Sequence, residues 1–158
     1  MDVLFINPGS GKDVYQSLST DYAGIGTPYW ALLLAQSCRS QGYDVDILDI
    51  LAERLSTENS IQRIKEINPR LITFCVYGEN VNSGTTQMSG AVRLAKLLKD
   101  GGLETPISFV GSHVQALPYK VLDEERDIDF IFTNDFPLRH VRVKLARKIK
   151  KYGLGRPV

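Results

Sequence analysis

Side chains that bind metals through sulfur or nitrogen are scarce in this chain. Its 158 residues include two cysteines, Cys38 and Cys75, and two histidines, His113 and His140. The cysteines are single and far apart in sequence, which excludes a disulfide framework, a CxxC redox motif and a zinc pattern. Cys75 has no evident base and reads as a buried strand residue. The histidines are too widely spaced to form a metal pair on one helix. No apolar run approaches the roughly 20 residues that a membrane span needs. The opening "MDVLFINPG" has an acid at position 2 and a very short apolar run, unlike a signal peptide, so a cytoplasmic location is expected.

Several site motifs are also missing. "GSGKD" lacks the earlier glycine and the Ser/Thr after lysine that a phosphate-binding P-loop requires. "GIGTPY" is not GxGxxG, because Tyr29 stands in the third glycine's place. A phospho-acceptor receiver domain needs a carboxylate at the end of strand 1 or 3, where this chain has Asn7 and Tyr77. No GxSxG hydrolase elbow occurs.

What the chain does have is the composition of one soluble globular domain, 43% apolar and 23% charged, which sets disorder aside. The net charge of +1 hides an asymmetry. Residues 136–158 carry eight Lys/Arg and no acid, leaving 11 basic and 18 acidic residues, a balance of −7, in residues 1–135. Such a tail reads as a terminal helix with a solvated basic face. It lacks the interleaved aromatics of a base-stacking surface, so neither nucleic acid nor a membrane is the expected partner.

Short apolar runs bounded by turn residues predict five strands, at 3–7, 44–50, 70–78, 106–111 and 128–134. Between them lie helical patterns. Thr27 is expected to cap the first, with Pro28 in its first turn and Gly42 after its last. Ser56 or Thr57 caps the second, and Pro69 follows it. The third, from Ser83, has a stripe of Val92, Leu94, Ala95, Leu97 and Leu98 and ends at Gly101. A short fourth helix is broken at Pro118, and a last one is expected over 138–152. This alternation implies an α/β fold: a three-layer, doubly wound sheet of five parallel strands in the flavodoxin-like order 2-1-3-4-5.

In that architecture ligands bind beyond the carboxyl ends of the strands, near the switch point between strands 1 and 3. The loops there, "NPGSGKD…GIGTPYW", "YGENVNSG", "GSHVQA" and "TNDF", are rich in Gly, Ser, Thr, Asn and Pro. These residue types leave backbone amides accessible and offer small hydroxyls and amides to a ligand. The opposite ends carry ordinary turns such as "QGYD" and "INPR".

Five segments in order carry a family resemblance: "VLFINPG", "GTPYWALLLAQSCRSQGYDVDILD", "NPRLITFCVYG", "PISFVGSHVQALPYKVLDEERDIDFIF" and the position of "TND". Together they resemble the N-terminal cobalamin-binding domain of B12-dependent radical S-adenosylmethionine (SAM) enzymes, over about residues 2–135. The resemblance implies a cobalamin-binding Rossmann-like domain at 1–135. Residues 136–158 would be a basic helix or tail, part of that domain or the remnant of a linker. It also implies that the corrin lies over the carboxyl edge and that methylcobalamin is presented to a radical SAM domain, for methyl transfer or related radical chemistry. The residues then expected to contact the corrin are Asn7, Pro8, Thr27, Pro28, Tyr77, Gly78, Glu79, Asn80, Gly111, Ser112, His113, Gln115 and Asn134. Their roles would be hydrogen bonds to the corrin side-chain amides and steric control of cobalt's lower face. Trp30 is read as helix core instead.

The sequence departs from relatives in two ways. Another class of B12 proteins ligates cobalt through the histidine of DxHxxG after strand 1, where this chain has "NPGSGK". Around His113, Gly111 stands for the Asp and Ala116 for the Gly of that motif, so cobalamin is expected without a protein histidine ligand. The CxxxCxxC that would hold a 4Fe-4S cluster is absent from the sequence. The cluster and S-adenosylmethionine are therefore expected only in a partner radical SAM domain, in cis if the chain is a fragment or in trans if it stands alone. A small-molecule substrate would be met only indirectly. Two other readings stay open: an interaction or nucleic-acid module using residues 138–156, and a flavin- or nucleotide-binding flavodoxin-like protein.

Overall fold

Short apolar runs with little strict alternation belong in a parallel sheet that is covered on both faces. In the computed structural model, which describes residues 1–9, 26–77 and 81–133, the chain forms such a sheet. Its strands are β1 (Val3–Asn7), β2 (Val45–Asp49), β3 (Leu71–Cys75), β4 (Ile107–Val110) and β5 (Phe130–Phe132). All neighbours pair in parallel, in the order β2-β1-β3-β4-β5, which is the flavodoxin-like order the sequence implies. The expected strands are the right ones: β1 has the expected bounds and the other four were expected too long at their ends. Tyr77 lies past the ladder of β3, although the Val76 N–H still donates to the Val110 carbonyl at 2.7 Å.

The two faces have separate cores. Leu4, Ile6, Ile72, Phe74, Val76, Ile107 and Phe109 point to one. That face is covered by α2 (Thr57–Ile67), α3 (Val81–Asp100), α4 (Ser112–Ala116) and α5 (Pro118–Glu124). Phe74 and Phe109 stack at its centre, with ring centroids 4.9 Å apart. Phe5, Val45, Cys75 and Val110 point to the other face. Among the described residues that face is covered by α1 (Tyr29–Arg39) alone, which seats Ala31 and Ala35 against it. Cys75 is buried there and burial pushes its thiol well up, as fits an inert core residue; Cys38, half-buried in the same cluster, is raised for the same reason.

Helix ends follow local chemistry, with two corrections to the expected helices. The Ser56 hydroxyl accepts from the Asn59 N–H and caps α2, while Asn68 takes the left-handed conformation at its end before Pro69. Gly42 turns the chain after α1 at φ +85°. Thr27, however, makes no side-chain cap; α1 begins at Tyr29, Pro28 holds the cap position, and the Thr27 carbonyl accepts from the Tyr29 N–H. In α3 the buried stripe is Met88, Ala91, Leu94, Ala95 and Leu98, and Leu97 faces outward. α3 ends at Asp100, so Gly101 follows it as expected, and Gly102 then takes the left-handed conformation at φ +80°. The break at Pro118 is as expected, with proline at the first position of α5. The helix expected at 138–152, the basic tail and most of the loop after β1 lie outside the described residues.

The amino edge of the sheet is closed by polar clamps. Lys99 pairs with Asp129 at 3.1 Å and donates to the Thr105 carbonyl, while Asp129 also accepts from the Ile107 N–H at 3.0 Å. At the other end of this edge Asp2 accepts from the Asp44 N–H and from Arg70, and Met1's ammonium pairs with Asp44. The Asp44 N–H and the Arg70 guanidinium hold the Asp2 carboxyl below its ordinary range. What this clamp adds to stability is therefore present above that range and lost as pH falls through the lowered value.

The carboxyl edge depends on a close approach. Gly111, which ends β4, has φ +154°, a backbone conformation that favours glycine. A Cβ there would lie 2.6 Å from the Val76 carbonyl carbon and closer still to its oxygen. Gly111→Ala is expected to destabilise the domain by about 2–5 kcal/mol through strain and overpacking, seen as a lower urea midpoint. Asp129→Ala is expected to destabilise the domain by about 1–3 kcal/mol and so lower the same midpoint, because it leaves Lys99 and the Ile107 N–H without their shared acceptor.

Candidate cofactor site

Two connections leave the sheet in opposite directions from adjacent strands. The chain after β1 leads to α1 on one face, and the chain after β3 leads to α3 on the other. Such divergence opens a crevice at the carboxyl edge. Two aromatic rings meet there. Tyr77, two residues past β3, stacks on Trp30, the second residue of α1, with centroids 4.6 Å apart and planes 20° apart. Stacking of this kind is worth about 0.5–1.5 kcal/mol beyond burial. Trp30 is not helix core, as the sequence suggested: it keeps 37% of its surface exposed, and the core positions of α1 are Ala31 and Ala35. Its place one residue after the Pro28–Tyr29 entry to the helix was the available signal, but its partner is 47 positions away and invisible to local pattern.

The expected site residues divide into groups. Tyr77 is part of the ring stack, and Thr27, exposed, and Pro28, half-buried, lead into α1 just before Trp30. Gly111 adjoins them through its contact with Val76, the neighbour of Tyr77. From Gly111 the chain enters α4, where Ser112 and His113 are half-buried, Val114 is in the core and Gln115 is exposed. Asn7 is turned toward β2: its side-chain amide donates to Asp49 at 3.1 Å, and Asp49 also accepts from the Ala52 N–H. Pro8 is buried. These two residues act in the turn after β1. Gly78, Glu79, Asn80 and Asn134 lie outside the described residues.

Sequence reading also missed Gln87. It stands in the amino-terminal half of α3, and its Oε1 is buried with no hydrogen-bond partner. A buried acceptor without a donor is costly, and a ligand or water that supplies an N–H or O–H relieves that cost. Beneath the edge, the Thr73 and Ser108 hydroxyls share a buried hydrogen bond of 2.8 Å, and Ser108 also donates to the Ile72 carbonyl. Small side chains with hydroxyls thus occupy the middle of the α1 face, where larger apolar ones would be ordinary in a parallel sheet.

Around the Trp30–Tyr77 stack this edge is aromatic, and the Asp49 carboxylate at the end of β2 is engaged by Asn7 and the Ala52 N–H. Among the described residues no group of three or more His, Cys, Asp or Glu is placed to hold a metal ion. No helix among them is long and apolar enough to cross a membrane.

Comparison with known proteins gives the same direction. No curated protein matches the chain. Among solved structures, the radical S-adenosylmethionine methyltransferase TsrM from Kitasatospora setae, with cobalamin and a 4Fe-4S cluster bound, is similar in fold, with a TM-score of 0.56 and 16% identity. The match covers 80% of this chain and 21% of the TsrM chain, so this chain spans about a fifth of that enzyme's length. The family description "B12 binding domain" matches residues 16–136, well over half of the sequence. The chain belongs to the B12-binding domain family.

Proposed function

We propose that this chain binds cobalamin over the carboxyl edge of its sheet and presents it to a radical SAM catalytic domain that is not part of this sequence. The family match across residues 16–136 is the observation that carries this reading. The edge fits the group. A corrin brings four nitrogen donors for its own cobalt, so the site needs no cluster of metal-binding side chains. Its rim carries amide groups, whose N–H hydrogens are what the Gln87 Oε1 lacks. The hydroxyls of Thr27 and Ser112 and the amide of Gln115 are suited to bond the same rim, with Gly78, Glu79, Asn80 and Asn134 completing the loops around it. Asn7, Pro8 and Gly111 serve by fixing the turns, and Pro28 by setting the start of α1.

When bound, methylcobalamin supplies a methyl group for transfer to carbon or phosphorus, or enters related radical chemistry. The protein's part is to hold the ring, orient it and keep water from its buried side. His113 belongs to a five-residue helix whose core residue, Val114, packs on the α2–α3 face, away from the Trp30–Tyr77 stack. We assign His113 to the wall of the site and not to cobalt. Two groups of exposed apolar side chains flank the edge, Tyr29, Leu32 and Leu33 on α1 and Leu117, Tyr119 and Leu122 around α5. They suit contact with a catalytic domain closing over the cofactor, in cis or in trans.

Incubation with hydroxocobalamin followed by desalting tests the reading. The protein is expected to keep the corrin absorption bands, and a colourless protein fraction rejects cobalamin binding. His113→Ala is expected to retain the corrin with an unshifted visible spectrum; a shift there makes His113 a cobalt ligand.

A further inference from the structure

We infer that the Trp30–Tyr77 stack is the floor on which the lower face of the corrin rests. The inference rests on the cobalamin reading above. Three observations carry it. First, the two rings come from the two connections that diverge at the switch point, α1 after β1 and the loop after β3, so the stack bridges the strands that bound the crevice. Second, Trp30 remains partly exposed although its ring is stacked, so the pair presents aromatic surface outward while sealing the core above Phe5 and Cys75. Third, the nitrogen within the stack is an indole N–H, which donates hydrogen bonds and has no lone pair to offer a metal. A flat apolar ring pair is complementary to a flat macrocycle.

The test is electron paramagnetic resonance of the protein loaded with hydroxocobalamin and reduced to cob(II)alamin. A nitrogen ligand splits the cobalt lines further, through coupling to the nitrogen nucleus. The wild-type spectrum is expected to lack that nitrogen splitting, and Tyr77→Phe to leave it unchanged. Tyr77→His or Trp30→His brings an imidazole to the floor, and nitrogen splitting is expected to appear in at least one of them. Nitrogen splitting in the wild-type protein overturns the inference, as does a changed spectrum in Tyr77→Phe. So does the wild-type spectrum in both histidine variants when both retain the corrin. Should the histidine variants not fold or not retain the corrin, affinities decide. Trp30→Phe is expected to bind hydroxocobalamin within about twofold of wild type and Trp30→Ala about tenfold more weakly. An alanine variant that binds as wild type overturns the floor. A wild-type protein that retains no corrin rejects the cobalamin reading itself, which separates the two failures.

Discussion

The contact between Gly111 and the Val76 carbonyl governs the ligand edge of this domain. Two adjacent strands stop being a ladder there and become loops, and the missing side chain lets their backbones stay in touch for one residue more. Because Val76 is held by Val110 and Gly111, Tyr77 leaves the sheet from a fixed point. Because Tyr77 is fixed, Trp30 has a surface to stack on, and the start of α1 is positioned by that stack. Glycine is often credited with giving a ligand room. In this chain its first service is to the protein's own backbone, and the consequences pass outward to the site through two more residues.

The edges of the sheet show a division of labour. The amino edge is tied by ion pairs and charged hydrogen bonds at both ends, around Asp129 and around Asp2. Those groups make the strands' starting positions rigid and leave little to offer a ligand. The described part of the carboxyl edge carries the Trp30–Tyr77 rings, turns, and the Asp49 carboxylate engaged by Asn7 and the Ala52 N–H.

How far the sequence revealed this depends on the range of each interaction. The strands themselves, the cap at Ser56, the turn at Gly42 and the helix start at Pro118 depend on residues within a few positions of one another, and pattern reading found them; the strand order followed from the alternation of strands and helices along the whole chain. Leu97 was assigned to the wrong side of α3 because a run of apolar residues fits more than one stripe, and only Met88 and Ala91, one turn earlier, settle the phase. Thr27 looked like a cap because its residue type favours caps, but with Pro28 in the cap position the helix starts one residue later. The polar character of the loops at the carboxyl ends of the strands was legible as a group, since small polar residues cluster there in the sequence. The pairing of Trp30 with Tyr77 and the reason for Gly111 were not, because each depends on a residue far along the chain.

Helix α1 touches the sheet through methyl groups. Ala31 and Ala35 are its buried residues, so the spacing between helix and sheet is set by two of the smallest side chains available. Such a seat is thin but unforgiving: an added methylene in a packed interface is paid for by displacement of one partner. The helix therefore works as a gauge. Its distance from the strands fixes how far Trp30 reaches over Tyr77, and with it the height and tilt of the aromatic surface at the edge. Variation at these two alanines is a route by which that aromatic surface can be shifted without changing either ring of the stack.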